Sequence, residues 1–184
     1  MTRPNDLRYD NLSLKDLAER LHLNYYEILS SMIRQATILL GELKHTDLHQ
    51  TTQRYTNICS QVLECMQLYL HDRREQLVPY MNELHEKDDN LHDCSTCEGN
   101  CNVRHYSYLM NLQESHGKLR KLFYELQTGA LPLYSSTVYP AVYRKLRDEM
   151  LLIDAIAREL MYIEEAEMIP KIVQSQKKIN VRPH

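Results

Sequence analysis

The stretch 13-SLKDLAERLHLNYYEILSSMIRQATILLGEL-43 decides the fold class of this chain. Ser13, followed three residues later by Asp16, resembles a capping box that opens a helix. Apolar residues then recur at helical spacing along one stripe, which consists of Leu14, Leu17, Leu21, Tyr25, Ile28, Met32 and Leu39. The pattern ends near Leu43, where Gly41 and the polar residues 44–47 mark a turn. A long amphipathic helix therefore opens the fold.

Three later stretches repeat this helical pattern, over about 48–86, 104–127 and 136–174. The predicted stripes are Tyr55, Val62, Met66, Tyr69, Leu77 and Leu84 in the second helix and Leu146, Met150, Ile153, Ala157, Leu160 and Met168 in the fourth. Pro79 should kink the second helix or thin its hydrogen-bond ladder, because proline removes a backbone donor. Gly129 and Pro132 are the signals expected to end the third helix, and Pro140 suits the first turn of the fourth. Four long amphipathic helices with short to medium connections predict an all-α fold, an up-down-up-down four-helix bundle.

The length of 184 residues fits one ordinary domain. We expect an N-terminal tail at 1–12, the bundle at 13–174 with a cysteine-rich interhelical loop at 87–103, and a C-terminal tail at 175–184. Leu77-Val78-Pro79 in the second helix matches Met168-Ile169-Pro170 in the fourth. This echo predicts that the two helices are related pseudo-symmetrically.

Composition excludes several functional classes. A net charge of −3 and a pI of about 6.3 do not favour nucleic-acid binding, which needs a concentrated basic face. The one basic stretch, around Lys177, Lys178 and Arg182, is interpreted as a solvated end. No apolar run is long enough to cross a membrane, and residues 1–10 lack the apolar core of a signal peptide. We expect a cytoplasmic protein with no nucleic-acid or membrane partner, and a protein partner stays open.

Four segments carry a resemblance to a known family. They are Arg20-Leu21-His22 through Gln35-Ala36-Thr37, Tyr69-Leu70-His71-Asp72-Arg73 with Leu77-Val78-Pro79, Glu114-Ser115-His116, and Leu160-Met161-Tyr162-Ile163-Glu164 with Met168-Ile169-Pro170. Over about residues 14–174 the chain resembles the hemerythrin-like domain of the repair-of-iron-centres family. That family holds two irons with one His from each of the first and third helices and with His-x-x-x-Glu from the second and fourth.

The resemblance implies a reduced ligand set. His22, His116 and Glu164 match the ligands of the first, third and fourth helices. The remaining three ligand positions hold Tyr69, Arg73 and Leu160. A di-iron centre is therefore not expected, and the resemblance implies at most a residual core metal site formed by His22, His116 and Glu164.

Arg73 suggests what takes the place of the metals. Arginine does not lose its proton in proteins, so it is not a metal ligand. In a bundle interior Arg73 would repel a metal and attract Glu164, with Tyr69 and His116 hydrogen-bonded nearby. We predict that these four residues form a polar plug. The alternative is that Arg73 lies on the surface.

The loop between the second and third helices contains a second candidate metal site. Cys94-x-x-Cys97 has the spacing with which two thiolates bind one tetrahedral ion, and Cys101 adds a third thiolate. His105 or His92 would complete a Cys₃His zinc site. Free thiols, a disulfide and reversible thiol oxidation are the alternatives.

Two functions follow from these observations. The favoured one is a non-enzymatic binding, regulatory or stress-related protein, a hemerythrin-like bundle that has lost its di-iron site. The sequence contains no nucleotide-binding loop. The spacing of its residues alone does not support a Ser–His–Asp or Cys–His catalytic arrangement. The alternative is a metalloprotein whose iron or zinc site has fewer ligands than the family's site. Such a protein would act in redox or nitrosative-stress chemistry or in iron–sulfur repair.

Overall fold

The computed structural model describes residues 9, 11–43, 50–90, 100–134 and 141–180. These residues form four long helices and no β-strand: α1 (14–43), α2 (50–89), α3 (Asn100–Tyr134) and α4 (141–180). Three of them contain one π turn each, and their segments are Leu14–Leu21, His22–Tyr26 and Glu27–Leu43 in α1, Gln50–Asp72, Arg73–Leu77 and Val78–Asp89 in α2, and Ala141–Ile163, Glu164–Met168 and Ile169–Asn180 in α4. Ser13 caps α1, because its hydroxyl accepts a hydrogen bond from the Asp16 amide at 3.1 Å.

Consecutive helices run antiparallel. The first segment of α1, Leu14–Leu21, packs against Val78–Asp89 at the end of α2, whereas Glu27–Leu43 packs against Gln50–Asp72 at its start. The Glu27–Leu43 segment also contacts Ala141–Ile163, the first segment of α4. The predicted all-α, up-down-up-down four-helix bundle is confirmed.

The apolar stripes predicted for α2 and α4 form the core. Their predicted positions are all buried: Tyr55, Val62, Met66, Tyr69, Leu77 and Leu84 in α2, and Leu146, Met150, Ile153, Ala157, Leu160 and Met168 in α4. Leu112, Leu119, Phe123 and Leu126 of α3 pack into the same cluster. In the described part of the chain, no helix combines the length and apolar character that a membrane span requires.

The predicted stripe of α1 is correct only up to the π turn His22–Tyr26. Beyond it, Ile28 is 45% exposed and Leu29 is fully buried, so the buried stripe lies one residue later than predicted. The reason is that the Glu27 amide donates to the His22 carbonyl, five residues earlier. This wider turn contains one extra residue and rotates the rest of the helix by about 100°.

Gly129 does not end α3, which continues through Pro132 to Tyr134. A Cβ atom at Gly129 would lie 3.3 Å from the Cδ1 atom of Ile58. The glycine therefore serves the close approach of α2 and α3 rather than a helix cap.

The last helix extends beyond residue 174, where its apolar pattern was predicted to end. The last helix continues to Asn180, with Ile179 buried and Lys178 paired to Asp88 at 3.5 Å. Ile179 follows the buried Ile172 by seven residues and so extends the core stripe. At the other end, Tyr9 and Leu12 pack against the core.

Gly117, in the middle of α3, provides a simple test of the helix assignment. A Cβ atom there would have no neighbour within 4 Å, and the position is exposed. Gly117→Ala should therefore raise the free energy of unfolding by about 0.5–1 kcal/mol, because alanine loses less backbone entropy in a helix. Urea unfolding measures this change. A loss of stability would indicate that α3 is not a regular helix at this point.

Candidate functional site

The interior of the bundle contains one ion pair at matched positions of α2 and α4. Arg73 is 4% exposed and Glu164 is fully buried, and each is the first residue of a π turn. Each precedes a proline by six residues, Pro79 and Pro170. A proline ring clashes with the carbonyl four residues earlier, and in both helices that carbonyl lies inside the π turn. The widened turn is thus the local adjustment to proline, where the sequence predicted a kink.

Glu164 lies on α4, and the other three helices each direct hydrogen-bonding groups at its carboxylate. Its Oε1 accepts from the Tyr26 hydroxyl and from Arg73 Nε, both at 3.2 Å. Its Oε2 accepts from the Tyr69 hydroxyl at 2.7 Å and from Arg73 Nη2 at 3.3 Å, and lies 2.7 Å from His116 Nε2. We call these five residues the Glu164 cluster. Five donors saturate a carboxylate, which has about four lone-pair sites.

Arg73 is fixed by contacts on several sides. Its Nη2 also donates to the Ser115 hydroxyl at 3.1 Å, and that hydroxyl donates to the Leu112 carbonyl at 2.7 Å. The guanidinium carbon lies 4.0 Å from the centre of the Tyr69 ring, a cation–π distance. The side chain therefore has its charge, its Nε and Nη2 groups and one of its faces satisfied inside the protein.

His116 connects this interior ion pair to the surface. Its Nδ1 lies 2.8 Å from Glu165 Oε1, and Arg120 Nη2 donates to Glu165 Oε2 at 2.6 Å. His116 is 1% exposed, whereas the side chains of Glu165 and Arg120 are 37% and 49% exposed. Both ring nitrogens therefore lie within hydrogen-bond distance of a carboxylate. A continuous chain of hydrogen-bonding side chains then runs from Arg73 to the exposed Arg120.

The surroundings of Glu164 keep it ionised. Burial alone would raise the pKa of its carboxyl group, but the charges of and hydrogen bonds from Arg73 and His116 outweigh burial and lower the pKa to about 2. Burial, followed by the charge of Glu164, raises the pKa of Tyr26 and of Tyr69 well above the usual value. Both hydroxyls therefore stay protonated and act as donors.

His22 does not reach the cluster, contrary to the core metal site that the resemblance implied. Its side chain is 39% exposed and lies 3.5 Å from Glu27. Tyr26, four residues later, contacts Glu164 instead. The π turn that begins at His22 causes the difference, because it changes which residues of α1 face inward. Leu160 is fully buried one turn before Glu164.

Arg74 was not identified from the sequence, although it connects two of the π turns. Its Nη2 donates to the Tyr26 carbonyl at 3.1 Å, to the Ser30 hydroxyl at 2.7 Å and to Glu27 Oε1 at 2.9 Å. A π turn disturbs the regular pairing of backbone carbonyls, and a guanidinium from α2 here binds one of them. Two consecutive arginines of α2 thus connect it to its neighbours: Arg73 binds Glu164 of α4, and Arg74 binds α1.

A di-iron centre does not fit these residues. Both oxygens of Glu164 are occupied by hydrogen bonds, and the permanent charge of Arg73 lies where it would repel a metal cation. Among the residues described by the structure, no three His, Cys, Asp or Glu side chains converge as a metal site requires. Tyr69, Arg73, His116 and Glu164, the residues of the predicted polar plug, do meet in the interior.

The candidate zinc site lies outside the described residues. This holds for Cys94, Cys97 and His92 in the loop and for the side chains of Cys101 and His105, whose backbones belong to the first turns of α3. The zinc site stays a prediction from the spacing of its cysteines.

Comparison with known proteins identifies no family for this chain. It matches no family model, no curated protein and no solved structure. The likeness to hemerythrin-like domains therefore stays a prediction from the residues that carry it, and the function of the bundle has to be argued from its geometry.

Proposed function

We propose that this chain is a non-enzymatic binding or regulatory protein, a hemerythrin-like bundle in which a polar cluster replaces the interior di-iron site. The observation that carries the proposal is the position of Arg73. Its guanidinium binds both oxygens of Glu164 in the interior. The guanidinium keeps its proton at all relevant pH values, so its positive charge compensates the buried carboxylate of Glu164. The negative charge of Glu164 therefore needs no metal ion.

The closed state of the cluster supports the non-enzymatic part of the proposal. Glu164, His116 and Arg73 are each at most 4% exposed, and their hydrogen-bonding atoms are directed at one another. A catalytic acid or base has to come within hydrogen-bond reach of its substrate. Binding by this protein would therefore use its exterior or its cysteine loop.

Elemental analysis tests the proposal. The chain, purified without a metal-affinity tag, is compared with a variant in which Cys94, Cys97 and Cys101 are all replaced by serine. We expect at most one zinc ion per chain in the unmodified protein and none in the variant, because the residues that the structure describes offer no converging group of metal ligands and the loop is the candidate site. Iron or zinc that remains in the triple variant and is lost on His116→Ala would place a metal in the core and contradict the proposal.

Iron addition provides a second readout that does not depend on purification. Ferrous iron added in air to the triple variant should give no absorption bands of an oxo-bridged ferric pair. The stability of the protein should also be unchanged, since a ligand that binds only the folded state would raise it. A stoichiometric rise in stability with iron would favour the metalloprotein instead.

A further inference from the structure

The adjacent helices α1 and α4 carry several exposed apolar side chains. Among the described residues, eight large apolar side chains are exposed, and five of them lie on these two helices: Leu23, Ile28, Ile38, Leu152 and Tyr162. Ile38 is 65% exposed and Leu152 is 55% exposed. Exposed apolar side chains that form a patch mark an interaction surface, whereas single scattered ones are normal.

The exposed part of α1 on this face carries few charges, and α4 has an apolar centre here. Between residues 28 and 41 of α1 the only charged residue is Arg34. In α4 the positions 151, 152, 155 and 156 hold Leu, Leu, Ala and Ile, and the charge of Asp154 is buried against Arg158. The exposed charges of α4 lie before and after this apolar centre, at Arg144, Lys145 and Asp148 and at Arg158 and Glu159.

A stripe of α4 on this face has a charge pattern that is complementary to itself. Lys145, Leu152 and Glu159 are spaced by seven residues, so they lie on nearly the same side of the helix. Tyr25 of α1 donates a hydrogen bond to Glu159 Oε1 at 3.1 Å, which places this stripe beside α1. All three residues are exposed. From its N-terminal to its C-terminal end, the stripe therefore presents a basic, an apolar and an acidic residue.

We propose that this face of α1 and α4 is the contact surface between two copies of the chain. A two-fold axis at Leu152 would place α4 antiparallel to its copy, with Leu152 against Leu152. Lys145 of each copy would then lie opposite Glu159 of the other, because both are seven residues from the centre. A carboxylate that already binds Tyr25 still has lone pairs for a lysine. A parallel arrangement would instead oppose like charges.

Sedimentation analysis of the full chain over a range of concentrations tests this proposal. We expect a reversible dimer. Lys145→Glu should raise its dissociation constant by about tenfold or more, because it opposes two carboxylates on each side of the axis. The double exchange Lys145→Glu with Glu159→Lys should restore the dissociation constant close to its original value. Leu152→Glu should give a monomer at the same concentrations.

Leu68→Glu is the matched control, because Leu68 is 63% exposed on α2, away from the proposed surface. It should leave the dimer unchanged, and circular dichroism should show that every variant stays folded. An unmodified chain that is monomeric throughout would overturn the proposal. The same conclusion would follow from a dimer that Leu152→Glu leaves intact, that Leu68→Glu disrupts equally, or that the charge exchange does not restore.

Discussion

Arg73→Ala is expected to lower the free energy of unfolding by about 3–5 kcal/mol, because it leaves a buried carboxylate without its cation. Glu164 is fully buried and Arg73 supplies two of its hydrogen bonds. Equilibrium unfolding in urea at neutral pH measures the loss. A change below about 1 kcal/mol would show that Arg73 is solvated in the native protein.

Arg120→Ala is the matched control for this experiment. Arg120 belongs to the same hydrogen-bonded network, but its side chain is 49% exposed and its partner Glu165 is 37% exposed. Exposed ion pairs contribute little, so this variant should lose at most about 1 kcal/mol. The contrast between two arginines of one network isolates the effect of burial.

Replacement of four of the five residues of the Glu164 cluster, with only His116 kept, should cost much less stability than removal of the Arg73 cation alone. A variant with Arg73→Met, Glu164→Leu, Tyr26→Phe and Tyr69→Phe keeps most of the volume and leaves neither a buried charge nor an unpaired hydroxyl among those four positions. Buried ion pairs replaced by well-packed apolar residues often leave stability nearly unchanged. If this variant loses more stability than Arg73→Ala, the cluster contributes net stability beyond the pairing of its charges.

Acid should destabilise the protein through Glu164. The folded-state pKa of this carboxyl group is lowered from 4.5 to about 2, against the effect of burial, by Arg73 and His116. A lowered folded-state pKa contributes stability that is fully present above about pH 5 and is lost as the pH falls toward 2. The lowering corresponds to about 3 kcal/mol at neutral pH.

Glu164→Gln separates this effect from the titration of other carboxylates. The difference in unfolding free energy between the unmodified chain and the variant should be largest near neutral pH. It should shrink by about 3 kcal/mol as the pH falls to about 2, because only one of the two proteins has to protonate residue 164. A difference that stays constant between pH 7 and pH 3 would mean that Glu164 has an ordinary pKa in the folded protein.

The sequence predicts the helices well because helical periodicity reports directly on burial. The predicted stripes of α2 and α4 are buried throughout, and the capping box at Ser13 opens α1. The errors have local causes. One extra residue in the π turn His22–Tyr26 shifts the stripe of α1, and a count with a fixed period of 3.6 does not show it. The sequence predicted that Gly129 ends a helix, whereas in the structure its missing side chain leaves room for the Cδ1 atom of Ile58.

The interior site was predictable only where a ligand pattern existed. Tyr69, Arg73, His116 and Glu164 were found through that pattern, and they meet in the structure. Tyr26 was missed because the pattern pointed to His22, one turn earlier. Arg74, Ser115 and Glu165 had no such pattern, because their roles depend on contacts between helices far apart in sequence. The spacing of residues along one helix does not encode such contacts.

Anomalous diffraction from crystals grown with added ferrous and zinc ions tests the central claim most directly. The claim is that the charge of Arg73, and not a metal, compensates Glu164. We predict guanidinium density bound to both oxygens of Glu164, and no anomalous peak between Glu164 and His116 at either absorption edge. A metal peak at that position, with the Arg73 side chain turned out to solvent, would contradict the account.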